Sequence, residues 1–193
     1  MNSKQGTRQS TSFLSGYIPN RKERHLTFIS LLATVCFLLI GFLFIWFNKQ
    51  TLMAQEHKAY EEIIEQLGSI SRMIYFAVLA IYPVFLLLKW KRLHTIQWRN
   101  SKLKNILVFL GKTLRKWHVP LALVSTGVIL LHGYLAIIRG FKWDFTNLTG
   151  VAAFILLGFL LFMGFKRFKR QDKKWHFKLA LAFLILFMIH SSL

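Results

Sequence analysis

Acidic residues and cysteine are scarce in this chain. Seven Asp and Glu stand against 26 Lys and Arg, a formal charge of +19 over 193 residues. The single cysteine, Cys36, lies inside an apolar run, so no intrachain disulfide is possible. No C-x-x-C-H occurs, which excludes covalent c-type heme attachment, and no cysteine pair offers an iron–sulfur or structural zinc site. A Gly-rich dinucleotide fingerprint is also missing. What is abundant is apolar: 54% of residues are hydrophobic and 16% aromatic. A soluble domain of this length rarely reaches those values. The apolar residues are clumped into runs, as in spans built for lipid rather than one globular core.

The basic residues sit in short blocks between those runs. That placement argues against a nucleic-acid partner and for the positive-inside rule. The expected fold is all-α, an integral membrane bundle of five transmembrane helices. Residues 1–25 read as a polar cytoplasmic tail and 26–193 as the transmembrane domain. The spans are expected at Leu26–Phe47, Ile70–Leu88 with a kink at Pro83, Trp117–Ile138, Leu148–Phe165, and from Trp175 almost to Leu193. The first is too long for a signal-peptide core and no small-x-small cleavage site follows it, so it is kept as an anchor. Between the second and third spans, Ile106–Leu110 within basic flanks suggests a surface-lying amphipathic helix.

Charge orients the bundle. The tail, the 89–116 loop and the 166–178 segment carry 5, 9 and 7 Lys or Arg, against 3 and 2 in segments 48–72 and 139–148. The N-terminus is therefore expected in the cytoplasm and the C-terminus outside, in a cell (plasma) membrane protein whose partner is membrane lipid. Trp46, Trp90, Trp117, Trp143 and Trp175 fall near the expected span ends, as an aromatic belt requires. The outer segment holding Glu56, Glu61, Glu62 and Glu65 reads chiefly as a solvated extension of the second span.

Seven histidines are present, and four form two pairs, His118 with His132 and His176 with His190, each 14 positions apart. The surroundings repeat: Lys116-Trp117-His118 and Lys174-Trp175-His176 are each followed by Leu-Ala-Leu, at 121–123 and 179–181. Fourteen residues at about 100° each fall about 40° short of four turns, so both histidines of a span face one way. The rise of roughly 21 Å puts them near opposite leaflets. The third and fifth spans run in the same direction, which matches His118 with His176 at the inner depth and His132 with His190 at the outer depth. A heme iron accepts two axial imidazoles, so the pattern reads as a site for two stacked b-type hemes, with these four histidines as iron ligands. Zinc or proton-relay use are the alternatives. Zinc normally wants carboxylate or thiolate help, and neither lies within the third or fifth span. His25, His57 and His94 read as interfacial polar residues.

Ser125, Gly127 and Gly133 on the third span, and Gly150, Gly158 and Gly164 on the fourth, leave room beside a macrocycle, or serve ordinary helix packing. Arg115, Lys116 and Lys174 inside, and Arg139 and Lys142 outside, are available for heme propionates.

Two H-x13-H pairs on the third and fifth spans resemble the ferric-reductase-like transmembrane family, which includes NADPH oxidases and heme-binding membrane subunits of bacterial reductases. The resemblance covers about residues 70–193 and rests on His118, His132, His176 and His190. The cytochrome b of quinol–cytochrome c reductases uses a similar spacing, while five-span succinate dehydrogenase anchors draw ligands from more helices. The resemblance implies an electron-transfer component or oxidoreductase. It departs from ferric reductases and NADPH oxidases in stopping three residues after His190, without a sixth helix or a flavin domain. The expected donor is therefore separate, a flavoprotein or a quinol. The expected function is a diheme cytochrome carrying electrons outward across the membrane. The alternative is a heme-bearing membrane anchor that links a quinone pool to a partner oxidoreductase, and no catalytic residue is assigned in either.

Overall fold

A computed structural model describes residues 18, 20–54, 57–90, 97–98, 101–168 and 173–192. Apart from loops and one two-residue antiparallel pairing, β1 (Gln97–Trp98) with β2 (Ser101–Lys102), the described residues are helical. The helices are α1 (Arg21–Phe47), α2 (Lys49–Ala54), α3 (His57–Leu79), α4 (Ile81–Leu88), α5 (Leu103–Gly140), α6 (Phe145–Phe168) and α7 (Lys173–Ser192). Five stretches are long and apolar enough to cross a membrane, with α3 and α4 forming one of them. Large side chains such as Ile40, Phe44, Phe109 and Met73 are mostly exposed, which suits a lipid-facing surface. The protein is thus an all-helical, multi-pass membrane protein.

Local chemistry explains the ends. α1 begins at Arg21 rather than at Leu26, because Asn20 Oδ1 accepts from the backbone N–H groups of Lys22 and Glu23. The rest of the expected tail, residues 1–17 and 19, lies outside the described residues. α5 stops at Gly140, whose φ of +113° suits glycine and few other residues. Asp144 then opens α6 by accepting from Asn147 N–H at 2.8 Å. The second span breaks at Ala80, three residues before Pro83, consistent with a kink there. Ahead of it, the acidic residues Glu61, Glu62 and Glu65 lie on the first turns of α3, a helical extension of the span.

One expectation is corrected. Ile106–Leu110 is not a separate surface helix but part of the first turns of α5, which continues unbroken through the third span. Leu107 and Val84 are buried against each other's helices, and Gly111 lets α5 approach Leu88 and Val84 closely. α4 covers Leu107 of this segment, while Ile106, Phe109 and Leu110 stay exposed. At 38 residues, α5 is roughly 57 Å long against a hydrocarbon core of roughly 30 Å, so it projects well beyond one side.

In lipid there is little hydrophobic drive for helices to associate, so small residues and hydrogen bonds hold them. α5 is the hub. It packs closely on α3, α1 and α4, while α6 packs on α7. α1 seats on α5 where Gly127 faces Thr34 and Gly41 faces Leu131. α3 is tied to α5 by a buried serine pair: Ser125 Oγ donates to the Ser71 carbonyl at 3.2 Å, and the two hydroxyls lie 3.0 Å apart. Tyr60 donates to the Leu135 carbonyl at 2.8 Å. The α6–α7 pair joins the rest through one core cluster of Tyr75 and Val78 from α3, Ala153, Leu157 and Leu160 from α6, and Phe183 and Phe187 from α7. α5 and α7 are not among the closely packed pairs. The space between them holds the histidines.

Candidate site: two tiers of paired histidines

The four histidines of the repeat meet in two pairs, and the pairs are those that the helical spacing matches. His132 and His190 face each other with ring centres 6.4 Å apart and ring planes inclined at 75°. His118 and His176 line one cavity of about 90 Å³. Its other walls are apolar, from Val78, Leu123, Leu157, Leu160 and Phe183 among others. Because His118 and His132 belong to α5 and their partners to α7, the two helices must run side by side in the same direction. The 14-residue offset separates the tiers by roughly 21 Å along the axes.

Three of the four rings are aimed by a third element. His132 Nδ1 lies 2.9 Å from the Ile64 carbonyl of α3, and His190 Nδ1 lies 2.9 Å from the Thr146 carbonyl of α6. His118 Nδ1 lies 3.1 Å from the Val78 carbonyl, again from α3. A carbonyl only accepts, so in each contact the imidazole Nδ1–H is the donor. The proton is thereby placed on Nδ1 and the lone pair on Nε2, the tautomer a metal-binding imidazole needs. The Nδ1 of His176 is buried as well.

The second tier is also shaped by glycine. A Cβ at Gly150 would stand 2.8 Å from His190 Cε1, and one at Gly68 would stand 3.3 Å from His132 Cε1. Both rings lie against bare backbone, where a side chain would crowd them. Gly150 thus lies against the His190 ring. Gly127 does not, since it packs on α1. Gly164 lines the first-tier cavity, whereas Gly158 is exposed and Ser125 serves the α3–α5 contact.

The geometry can be tested against what two imidazoles do. Two rings that share one metal atom, each nitrogen about 2 Å from it, stand with centres roughly 6 Å apart. The 6.4 Å separation agrees. A closed metal cage is a poorer fit: no group of three or more His, Cys, Asp or Glu able to hold a metal ion occurs among the described residues. Two facing imidazoles would suit a metal whose remaining positions are filled by its own macrocycle.

Of the other histidines, His25 is exposed on α1, His57 starts α3, and His94 lies outside the described residues. The cations proposed from sequence divide. Arg139 is committed to Glu61 at 2.9 Å and lies over the Tyr60 ring, while Lys142, Arg115, Lys116 and Lys174 are exposed. Sequence reasoning missed the carbonyls of Ile64, Val78 and Thr146, the close approach at Gly68, and Arg72, which was counted with an outer loop but lies within α3. Only the last two had a visible signal, a glycine and an arginine at the head of an apolar run.

No family model, curated protein or solved structure matches the chain.

Proposed function

We propose that this protein is a diheme b-type transmembrane cytochrome, ferric-reductase-like, that carries electrons across a cell membrane. The observation that carries the reading is the two-tier arrangement: two pairs of imidazoles on parallel helices, three of the four rings locked by backbone carbonyls with Nε2 left for a metal. His118 and His176 would hold the inner heme, His132 and His190 the outer one. Heme bound there supplies one-electron chemistry, and two axial histidines favour electron transfer over oxygen binding at iron. The chain's own part is to orient and to insulate. The carbonyls of Val78, Ile64 and Thr146 fix tautomer and ring direction, and Leu157, Leu160, Phe183 and Phe187 keep the space between helices dry. In this reading the basic blocks lie in the cytoplasm with the N-terminus, the C-terminus lies outside, and a separate flavoprotein or quinol is the electron donor.

The first test is a dithionite-reduced minus oxidised spectrum of the purified protein, with heme quantified per chain. Sharp b-type bands and about two hemes per chain are expected, one for each bis-histidine tier. A colourless preparation from heme-replete cells would sink the proposal. The second test separates the tiers. His132→Ala is expected to remove one heme and spare the other, because the tiers lie roughly 21 Å apart. Equal loss of both in a folded variant would refute the pairing.

A further inference from the structure

Arg72 is a cation inside a membrane-spanning stretch, on the α3–α4 segment Lys58–Leu88. Such residues are costly and mark function by default. The side chain is half-buried and reaches two neutral groups: Nη1 donates to the Ser191 carbonyl at 3.3 Å and Nη2 to Ser69 Oγ at 3.4 Å. Both bonds are long for a guanidinium, and among the described residues no carboxylate lies within ion-pair distance of it. The groups it touches flank the second histidine tier. Ser191 follows His190 in the chain, and Ser69 follows Gly68, whose backbone lies against the His132 ring. Among the described residues Arg72 thus has no ion-pair partner at the rim of this one tier, and its hydrogen bonds to two neutral groups use only two of its five N–H donors. A planar fork of that kind is matched to a carboxylate. The cations named from sequence for this side are Arg139, already bound to Glu61, and Lys142, exposed in the loop after α5.

We infer that Arg72 binds a propionate of the outer heme and sets that heme's potential. The inference rests on the heme reading above. It makes the outer tier a site built from α3, α5, α6 and α7, in which α3 supplies both the carbonyl that aims His132 and the counter-charge of the ligand. Removing a positive charge beside a redox group disfavours uptake of an electron, so the outer potential should fall when Arg72 is neutralised, and the inner one should not.

The experiment is a potentiometric titration with heme quantified per chain, on wild type and Arg72→Gln in detergent. A heme-free wild type would overturn the heme reading itself, whatever Arg72 does. With about two hemes in the wild type, Arg72→Gln is expected either to empty one site or to lower one midpoint by a tenfold or greater change in its reduction constant, about 59 mV for one electron. Two hemes with both midpoints unmoved would overturn the inference and leave the heme reading standing. Should Arg72→Gln fail to accumulate, a His176→Ala apoprotein, which keeps only the outer pair, is titrated with heme and with heme dimethyl ester. The ester lacks the carboxylates, and at least tenfold weaker binding is expected. Equal affinity would overturn the assignment.

Discussion

At the scale of single residues, the site depends on how each imidazole is pinned. A histidine ring has two nitrogens, and occupying Nδ1 with a carbonyl decides what Nε2 can do. His132, His190 and His118 are all treated this way, by carbonyls from helices other than their own. Glycine completes the arrangement on the second tier, and a substitution there tests it. Gly150→Ala would place a Cβ 2.8 Å from His190 Cε1, closer than real contacts allow, and 3.1 Å from its Nδ1, so the ring or the α6–α7 spacing must shift. On the proposed diheme reading, bound heme is expected to fall from about two per chain toward one, with helical circular dichroism unchanged. Gly158→Ala is the control: nothing lies within 4 Å of a Cβ there, and full heme content is expected. Equal heme retention in both variants would remove Gly150 from the site.

At the scale of elements, the question is what keeps α3 on α5 and α5 away from α7. The serine pair answers the first part. Ser71 and Ser125 are almost fully buried, at 1% and 0% exposure, in a setting with no water to replace their bonds. Hydrogen bonds between membrane helices average about 0.6 kcal/mol and reach about 1.7 kcal/mol. A double-mutant cycle of Ser71→Ala and Ser125→Ala, read by unfolding in bicelles, should give a coupling in that range. A coupling of zero would mean that the two hydroxyls do not stabilise the helix pair. The second part is answered by side-chain bulk. The cluster of Tyr75, Phe183 and Phe187, with ring centres 5.2–5.9 Å apart, fills the middle between the tiers. It holds α7 against α3, while the histidines occupy the gap between α7 and α5.

At the scale of the whole molecule, the charge asymmetry makes the orientation testable. In a Cys36→Ser background, Lys142→Cys is expected to react with a membrane-impermeant maleimide on intact cells, and Lys112→Cys only after permeabilisation. The opposite labelling would invert the protein and exchange the inner and outer tiers. Much of this molecule is legible in its sequence. The five apolar stretches follow from length and hydropathy, because a helix needs about 20 apolar residues to cross a hydrocarbon core of roughly 30 Å. The shared face of His118 and His132, and of His176 and His190, follows from helical periodicity, since an α-helix repeats by local bonds alone. The continuity of α5 through Ile106–Leu110 was not legible, because the helix is supported there by Val84 and Leu88 from another helix. Nor were the partners of the rings. Ile64 lies 68 positions from His132, Thr146 lies 44 from His190, and each contributes a backbone carbonyl, which every residue carries. The sequence by itself determined which residues share a helix face and at what interval. Only the tertiary structure decided that the two faces stop 6.4 Å apart, ring to ring, and that Arg72 reaches their rim. The reason is physical: position within a helix is set by bonds between near neighbours, whereas the gap between helices is set by whichever distant side chains pack to keep it open.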